Sequence, residues 1–261
     1  MGASRNSGIK SIAKQIGLGM MQYVQDYEET YPMRQIPSDK TTPTRPTWCP
    51  LTVRELLLPY TKNGDLGYGW GNNYTVPIPV AGGGIWTCPS QPFADVWKQG
   101  GFNRGLIAGE LAENGNKVDR PVVAMAQVGT PASVALMTET GTTDGWNNCD
   151  DLNDEWWWHG GAQYPPQFTG ATSSAQWDRD TTAADMGSLP NPWLYRAMPR
   201  YRHNRTANFV FADGHAKAIP KGALNWCTNI NFKGMQDTWD GANGDWTATD
   251  AKTCGKYGVS L

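Results

Sequence analysis

The hydrophobic positions of the first thirty residues repeat with a helical period. Ile9, Ile12, Ile16, Met20, Tyr23 and Tyr27 lie three or four residues apart, which gathers them on one face of an α-helix. Lys10, Lys14, Gln15, Gln22, Gln25 and Asp26 fall on the rest of its circumference. The spacing predicts a helix over residues 6–29, stopped by Pro32, with Ile12, Ile16, Met20 and Tyr23 buried against a sheet. The charges run against the helix dipole. Arg5, Lys10 and Lys14 crowd the start, while Asp26, Glu28 and Glu29 crowd the end. Such a helix reads as the lower half of a longer one.

Further along, Thr52-Val-Arg-Glu55 has capping-box spacing and predicts a short helix through Leu56, Leu57 and Leu58, ending at Pro59. Residues 61–84 are rich in Gly, Asn and Pro and read as loop. Another short helix is expected around residues 103–113. Residues 122–128 and 132–138 read as short buried strands joined by the Gly129-Thr130-Pro131 turn. The clearest β pattern comes late, where 208–212 and 215–219 flank Asp213-Gly214. That dipeptide between two such runs predicts a hairpin with a two-residue type I′ turn. Residues 144–191 are acidic, carry several Trp and show little periodicity. They read as a long loop insertion, of a length that usually carries function or an ion. No repeat or linker divides the chain, so the expectation is one α+β domain over residues 1–261.

Composition sharpens this picture in three ways. Hydrophobic residues make up 39% of the 261, with 30 Gly, 18 Pro and 13 Trp. The fold is therefore expected to be loop-rich, with large aromatic surfaces standing in for scarce aliphatic ones. The formal net charge is −2 with acids and bases well mixed, which argues against a nucleic-acid partner, since those leave a basic face. Cys49, Cys88, Cys149, Cys227 and Cys254 include no C-x-x-C pair, so a zinc ribbon or thioredoxin-type motif is disfavoured. Spaced cysteines in such a chain suit an oxidising compartment. Several disulfide pairings are open; Cys49 with Cys88, each opening a Cys-Pro step, and Cys227 with Cys254 are preferred, leaving Cys149 free.

Four blocks then carry a resemblance. His203, nine residues and Asp213-Gly214 form an H-x(9)-D-G pattern within Arg-His-Asn-Arg-Thr-Ala-Asn-Phe-Val-Phe-Ala-Asp-Gly-His. This block resembles the C-terminal signature of a group of bacterial prepilin-like proteins. The stretch from Ala13 to Glu29 is similar to that family's segment just after its membrane helix. Leu58-Pro-Tyr-Thr-Lys62 and Trp86-Thr-Cys-Pro-Ser90 resemble two further landmarks in the expected order. Together they cover about a quarter of the chain, from near its start to near its end.

The resemblance implies a type IV pilin-like fold, an N-terminal helix packed on an antiparallel sheet with variable loops around it. It implies a structural subunit of a type IV pilus-like or type II secretion pseudopilus-like filament, located in the cell envelope or outside the cell. Its partners would be other pilin-like subunits and the pilus or secretion machinery. Membrane contact would come only through an apolar upper half-helix. That half-helix and the leader-peptidase site are not in this sequence, and Met1-Gly-Ala-Ser4 is expected to stand in their place.

Candidate chemistry is sparse. His203 and Asp213, with His215 beside them, could form a catalytic or metal pair; a structural reading has Asp213 favour the turn and His203 anchor the incoming loop. No G-x-S-x-G elbow or H-E-x-x-H helix is present, and the expectation is that the protein is not an enzyme. Within Trp156-Trp157-Trp158 neighbours on a strand would point to opposite faces. At most two, Trp156 and Trp158, would stack on a glycan, the alternative reading being a filament-borne adhesin. Two stretches, 144–155 and 237–245, mix carboxylates with Asn and Gly. Neither has EF-hand spacing, yet Asp237, Asp240 and Asp245, with Gly241 and Gly244 permitting a tight turn, suit an oxygen-seeking cation such as Ca²⁺. Related secretion pseudopilins bind calcium in a C-terminal loop, which the resemblance extends to these three residues.

Overall fold

The computed structural model describes residues 2–33, 35–36, 51–61, 85, 101–103, 105–107, 110–111, 118–120, 122–140, 188, 199–224, 226–230, 232–233, 235–240 and 245–248. In chain order the elements are α1 (Gly2–Asp26), β1 (Gln35–Ile36), β2 (Leu51–Thr52), α2 (Val53–Leu56), α3 (Leu58–Thr61), β3 (Gly101–Phe102), β4 (Glu110–Leu111), β5 (Val118–Arg120), a 3₁₀ turn (Met125–Gln127), β6 (Ala135–Thr138), β7 (Thr206–Phe211), β8 (Ala216–Pro220), α4 (Trp226–Asn229), β9 (Gln236–Asp240) and β10 (Asp245–Ala248). The chain is α+β.

Strands β3, β6, β7 and β8 form an antiparallel sheet in that spatial order. A smaller sheet runs β2-β1-β4-β5, with β1 and β4 parallel, and β9 pairs with β10. Helix α1 lies against β7, β8 and α3. Its contact face is the one the periodicity marks: Ala13, Ile16, Met20, Tyr23 and Val24 are buried, Ile12 half-buried. They join one core with Phe102, Leu136, Phe209, Phe211 and Ile219. The strands alternate less than a half-exposed sheet would: Ala135–Thr138 is buried throughout, and so is 207–211. Both faces of β6 and β7 are therefore covered.

Helix α1 ends at Asp26, earlier than Pro32 would have stopped it. Glu28 and Glu29 take left-handed φ of 52° and 56°, and the Glu29 amide donates back to Val24 O at 2.9 Å. This six-to-one closure ends a helix without proline. Tyr27 therefore leaves the buried stripe and is half exposed, stacking on Tyr23 at 4.2 Å between centroids. Burial, then the neighbouring Tyr27 and Tyr60 phenols, push the Tyr23 phenol up to about 12.

Four other expectations are corrected. Pro59 does not end the helix after Val53; it sits second in α3, where its missing amide costs little. Of the helix expected over 103–113, the described residues show a turn at 105–107 and a strand at Glu110–Leu111. The Asn103 side chain accepts from the Gly105 amide at 2.9 Å and donates to Ala135 O and Ile230 O, both at 2.9 Å. An Asn that ties three segments competes with helix propagation, and Glu110–Leu111 is β4. Residues 122–128 form a bridge, Thr30 with Ala124, and then the 3₁₀ turn rather than a strand. The expected strand over 132–138 shortens to β6, because 131–133 are a turn held by Ser133 and Val134 amides on Thr130 O.

The hairpin between β7 and β8 is present but its turn differs from expectation. Asp213 is not left-handed, and only Gly214 has positive φ, at 85°. The Gly214 amide donates to Phe211 O at 2.8 Å, and the Phe211 amide to His215 O at 2.9 Å. Ala212-Asp213-Gly214 is thus a three-residue loop, a type I turn closed by a glycine bulge. The two-residue, doubly left-handed turn occurs instead at Asn204-Arg205, φ 51° and 61°, between His203 and Thr206, which exchange backbone bonds. Among the described residues no helix is long and apolar enough to cross a membrane.

Candidate functional site

The Asp213-Gly214 tip is where the last conspicuous sequence block meets the first. A Cβ on Gly17 would run into the Gly214 carbonyl, and one on Gly214 would strike Met21 and approach Gly17 O at 3.0 Å. Helix and hairpin tip touch backbone to backbone, so both positions need glycine. Two residues on, a Gly19 Cβ would reach Thr61 Cγ2 of α3 at 2.9 Å. Tyr31 adds a tether, its buried hydroxyl donating to Ala212 O at 2.8 Å. Burial, then the nearby Asp213 carboxylate, push the Tyr31 phenol well above its ordinary value. Asp213 Oδ1 accepts from the His215 amide at 3.1 Å and faces His215 Nδ1 at 2.6 Å. A carboxylate only accepts, so Nδ1 carries the hydrogen. The His215 ring lies flat on Phe211, 4.4 Å between centroids.

His203 belongs to a different place. The six residues of β7 are separated by steps of about 3.3 Å, which sets its ends roughly 16 Å apart. His203 precedes one end and Asp213 follows the other, so the two do not form a pair. His203 Nε2 instead lies 2.9 Å from Glu139 Oε2, with side chains only 4% and 9% exposed. The other carboxylate oxygen accepts from Asn208 Nδ2 at 2.8 Å and from the Asn208 amide at 3.3 Å. Burial pulls the Glu139 carboxyl upward, but hydrogen bonds from His203 and Asn208 and the charges of His203 and Arg202 outweigh it, and the net is a carboxyl below its ordinary value. The Glu139 carboxylate thus ties His203 to Asn208 of β7, and removing its partners leaves a buried charge uncompensated.

The remaining candidates separate. Trp156, Trp158, Cys49, Cys88, Cys149 and Cys254 lie outside the described residues, as does the 144–191 insertion apart from Ser188. Of Cys227 only the backbone, within α4, is described. Asp237 and Asp240 are on β9 rather than in a loop, and Asp245 opens β10. Asp240 and Asp245 are direct partners across the hairpin, whereas a register shift between Thr247 and Ala248 skips Asp237. Among the described residues no three His, Cys, Asp or Glu side chains gather as metal ligands would. No family model, curated protein or solved structure matches the chain.

Sequence reading missed Glu139, Asn208, Tyr31 and the close approach of Gly17 to Gly214. Glu139 carried one weak signal, a lone acid separated only by Thr138 from the apolar run 134–137. Nothing local to Gly17 separates it from Gly19 or from a propensity defect within a helix.

Proposed function

We infer that this protein is a structural subunit of a type IV pilus-like or type II secretion pseudopilus-like filament, acting by assembly and surface display rather than by catalysis. The observation that carries this reading is the seat of α1 on the β7–β8 hairpin, glycine to glycine. It joins the two blocks most like the prepilin-like group into one structural unit, a helix laid on an antiparallel sheet. His203 and Gly214 then have structural work, which suits a subunit whose signature maintains shape. The fold is proposed to be pilin-like and the setting the cell envelope or the extracellular side. Partners are other pilin-like subunits and the export machinery.

The test is assembly. The 261-residue chain should remain monomeric in solution. Extended upstream by a leader and an apolar half-helix, and expressed in a host with pilus machinery, it should form filaments visible by electron microscopy. Filaments from the unextended chain, or none from the extended and processed one, would overturn the reading. The same proposal includes a Ca²⁺ site at Asp237, Asp240 and Asp245. Like charges set directly opposite, as at Asp240 and Asp245, destabilise a hairpin, and a bound cation relieves this. Millimolar Ca²⁺ should then raise the melting temperature by mass action, and Asp240→Ala should abolish the rise. A melting curve indifferent to both Ca²⁺ and chelator would dispose of the site.

A further inference from the structure

Helix α1 buries one face on the sheet and leaves the other uncovered. Lys10, Lys14, Leu18 and Asp26 are exposed along it, and Leu18, at 61%, is the most exposed large hydrophobic residue among those described. At about 100° per residue Leu18 falls between Lys14 on one edge of this face and Asp26 on the other. Just past the helix end Glu28 and Glu29 are exposed too, and Tyr27 keeps half its surface open while its ring stacks on Tyr23. These charges lack partners on their own helix. No acid lies three or four residues from Lys10 or Lys14, and no base that far from Asp26. Among the described residues none of these lysines and carboxylates forms an ion pair; Asp26 accepts from the Tyr60 hydroxyl at 2.9 Å. The acids also sit where the last carbonyls of α1 already gather negative charge, so this end of the helix is short of a cation.

We propose that the uncovered face of α1 docks a second copy of this chain head to tail, with Lys10 and Lys14 of one copy seated on Asp26, Glu28 and Glu29 of the next. The contact's role, setting the register between neighbouring subunits, rests on the filament reading. Lys14 and Asp26 are twelve residues apart, roughly 18 Å along the axis, so parallel helices meet this way when offset by about that distance. The basic and acidic groups occupy opposite edges of the face at different heights, and the contact is not self-complementary. A copy that accepts its neighbour's lysines still offers its own, so the pairing repeats instead of closing as a dimer. Leu18, one turn on from Lys14, is covered by the contact, and the open face of Tyr27 takes an ammonium group favourably. Surface charge pairs are individually weak and screened by salt. The contact therefore orders copies held together by other means and leaves the isolated chain monomeric at ordinary concentrations.

Solution NMR of the 261-residue chain tests this. Within one copy Lys14 and Glu28 are too far apart to sense one another, so coupling between them must pass through a second copy. As concentration rises at low salt, the amides of Lys14 and Glu28 should shift together, and added salt should reverse the shift. Lys10→Glu with Lys14→Glu should abolish the response at Glu28, and Glu28→Lys with Glu29→Lys should abolish it at residue 14. One chain carrying all four changes should recover it. The changed residues are exposed, so each variant should melt as the parent does; where one does not, Lys14→Gln and Glu28→Gln read the same loss. No concentration-dependent shift in the parent, or one that survives either reversal, would overturn the contact. Assembly of the upstream-extended chain is scored separately. Filaments without the NMR response refute the contact and leave the filament reading standing; the response without filaments supports the contact and fails that reading.

Discussion

Ile16→Asp should abolish cooperative folding. Ile16 is 2% exposed at the centre of the α1 contact face, between Ala13 and Met20. Losing a fully buried aliphatic side chain removes about 1.5–3 kcal/mol of burial. The carboxylate that replaces it must either ionise without a partner or take up a proton, and either adds several kcal/mol. Domains of this kind have roughly 5–15 kcal/mol in all, so one substitution consumes most of it. Thermal melting followed by circular dichroism would show no sigmoidal transition. A variant melting like the parent would mean that α1 does not seat on the sheet by this face. Leu18→Asp is the control: Leu18 is 61% exposed on the opposite side and its loss should be nearly neutral.

Gly17→Ala should destabilise, against the usual sign. In an exposed helix interior this replacement stabilises by about 1 kcal/mol, because alanine orders at less entropic cost. Here the new methyl meets the Gly214 carbonyl and lies 3.2 Å from Val210 Cγ1. The obstacle is backbone in a turn fixed by the bonds from Gly214 to Phe211 and from Phe211 to His215, so it cannot rotate aside as a side chain would. Overpacking of this sort costs about 1–3 kcal/mol and at times more, which outweighs the propensity gain. Urea titration should place the midpoint below that of the parent with the slope unchanged. A midpoint at or above the parent's would show that helix and hairpin tip do not touch. Gly214→Ala should also lose stability, for its left-handed φ of 85° adds to the clash with Met21.

The two substitutions separate what is legible in a sequence from what is not. Ile16 stands out because burial along a helix follows a fixed period, and a period can be counted. Gly17 does not, because the need for glycine there arises from a residue nearly two hundred positions away. The same division runs through the polar residues. Asp213-Gly214 announces a reversal of the chain, since only a few residue types tolerate left-handed backbone. Which of two turns forms depends on how the strands pair, and pairing set a three-residue loop there and the doubly left-handed turn at Asn204-Arg205.

What the sequence determined by itself was therefore the local and periodic part: a long N-terminal helix and its buried face, a late hairpin at Asp213-Gly214, and an α+β class. These follow from backbone sterics and from side-chain spacing of three to four or two residues, which act within a few positions. Tertiary structure alone decided that His203 pairs with Glu139 rather than Asp213, that Asn103 ties three segments instead of starting a helix, and that Gly17 meets Gly214. A buried polar group must take whichever partner the fold delivers, because leaving it unsatisfied costs more than any local preference can return. Close backbone contact likewise exists only once two elements are docked, so no window of sequence can hold it.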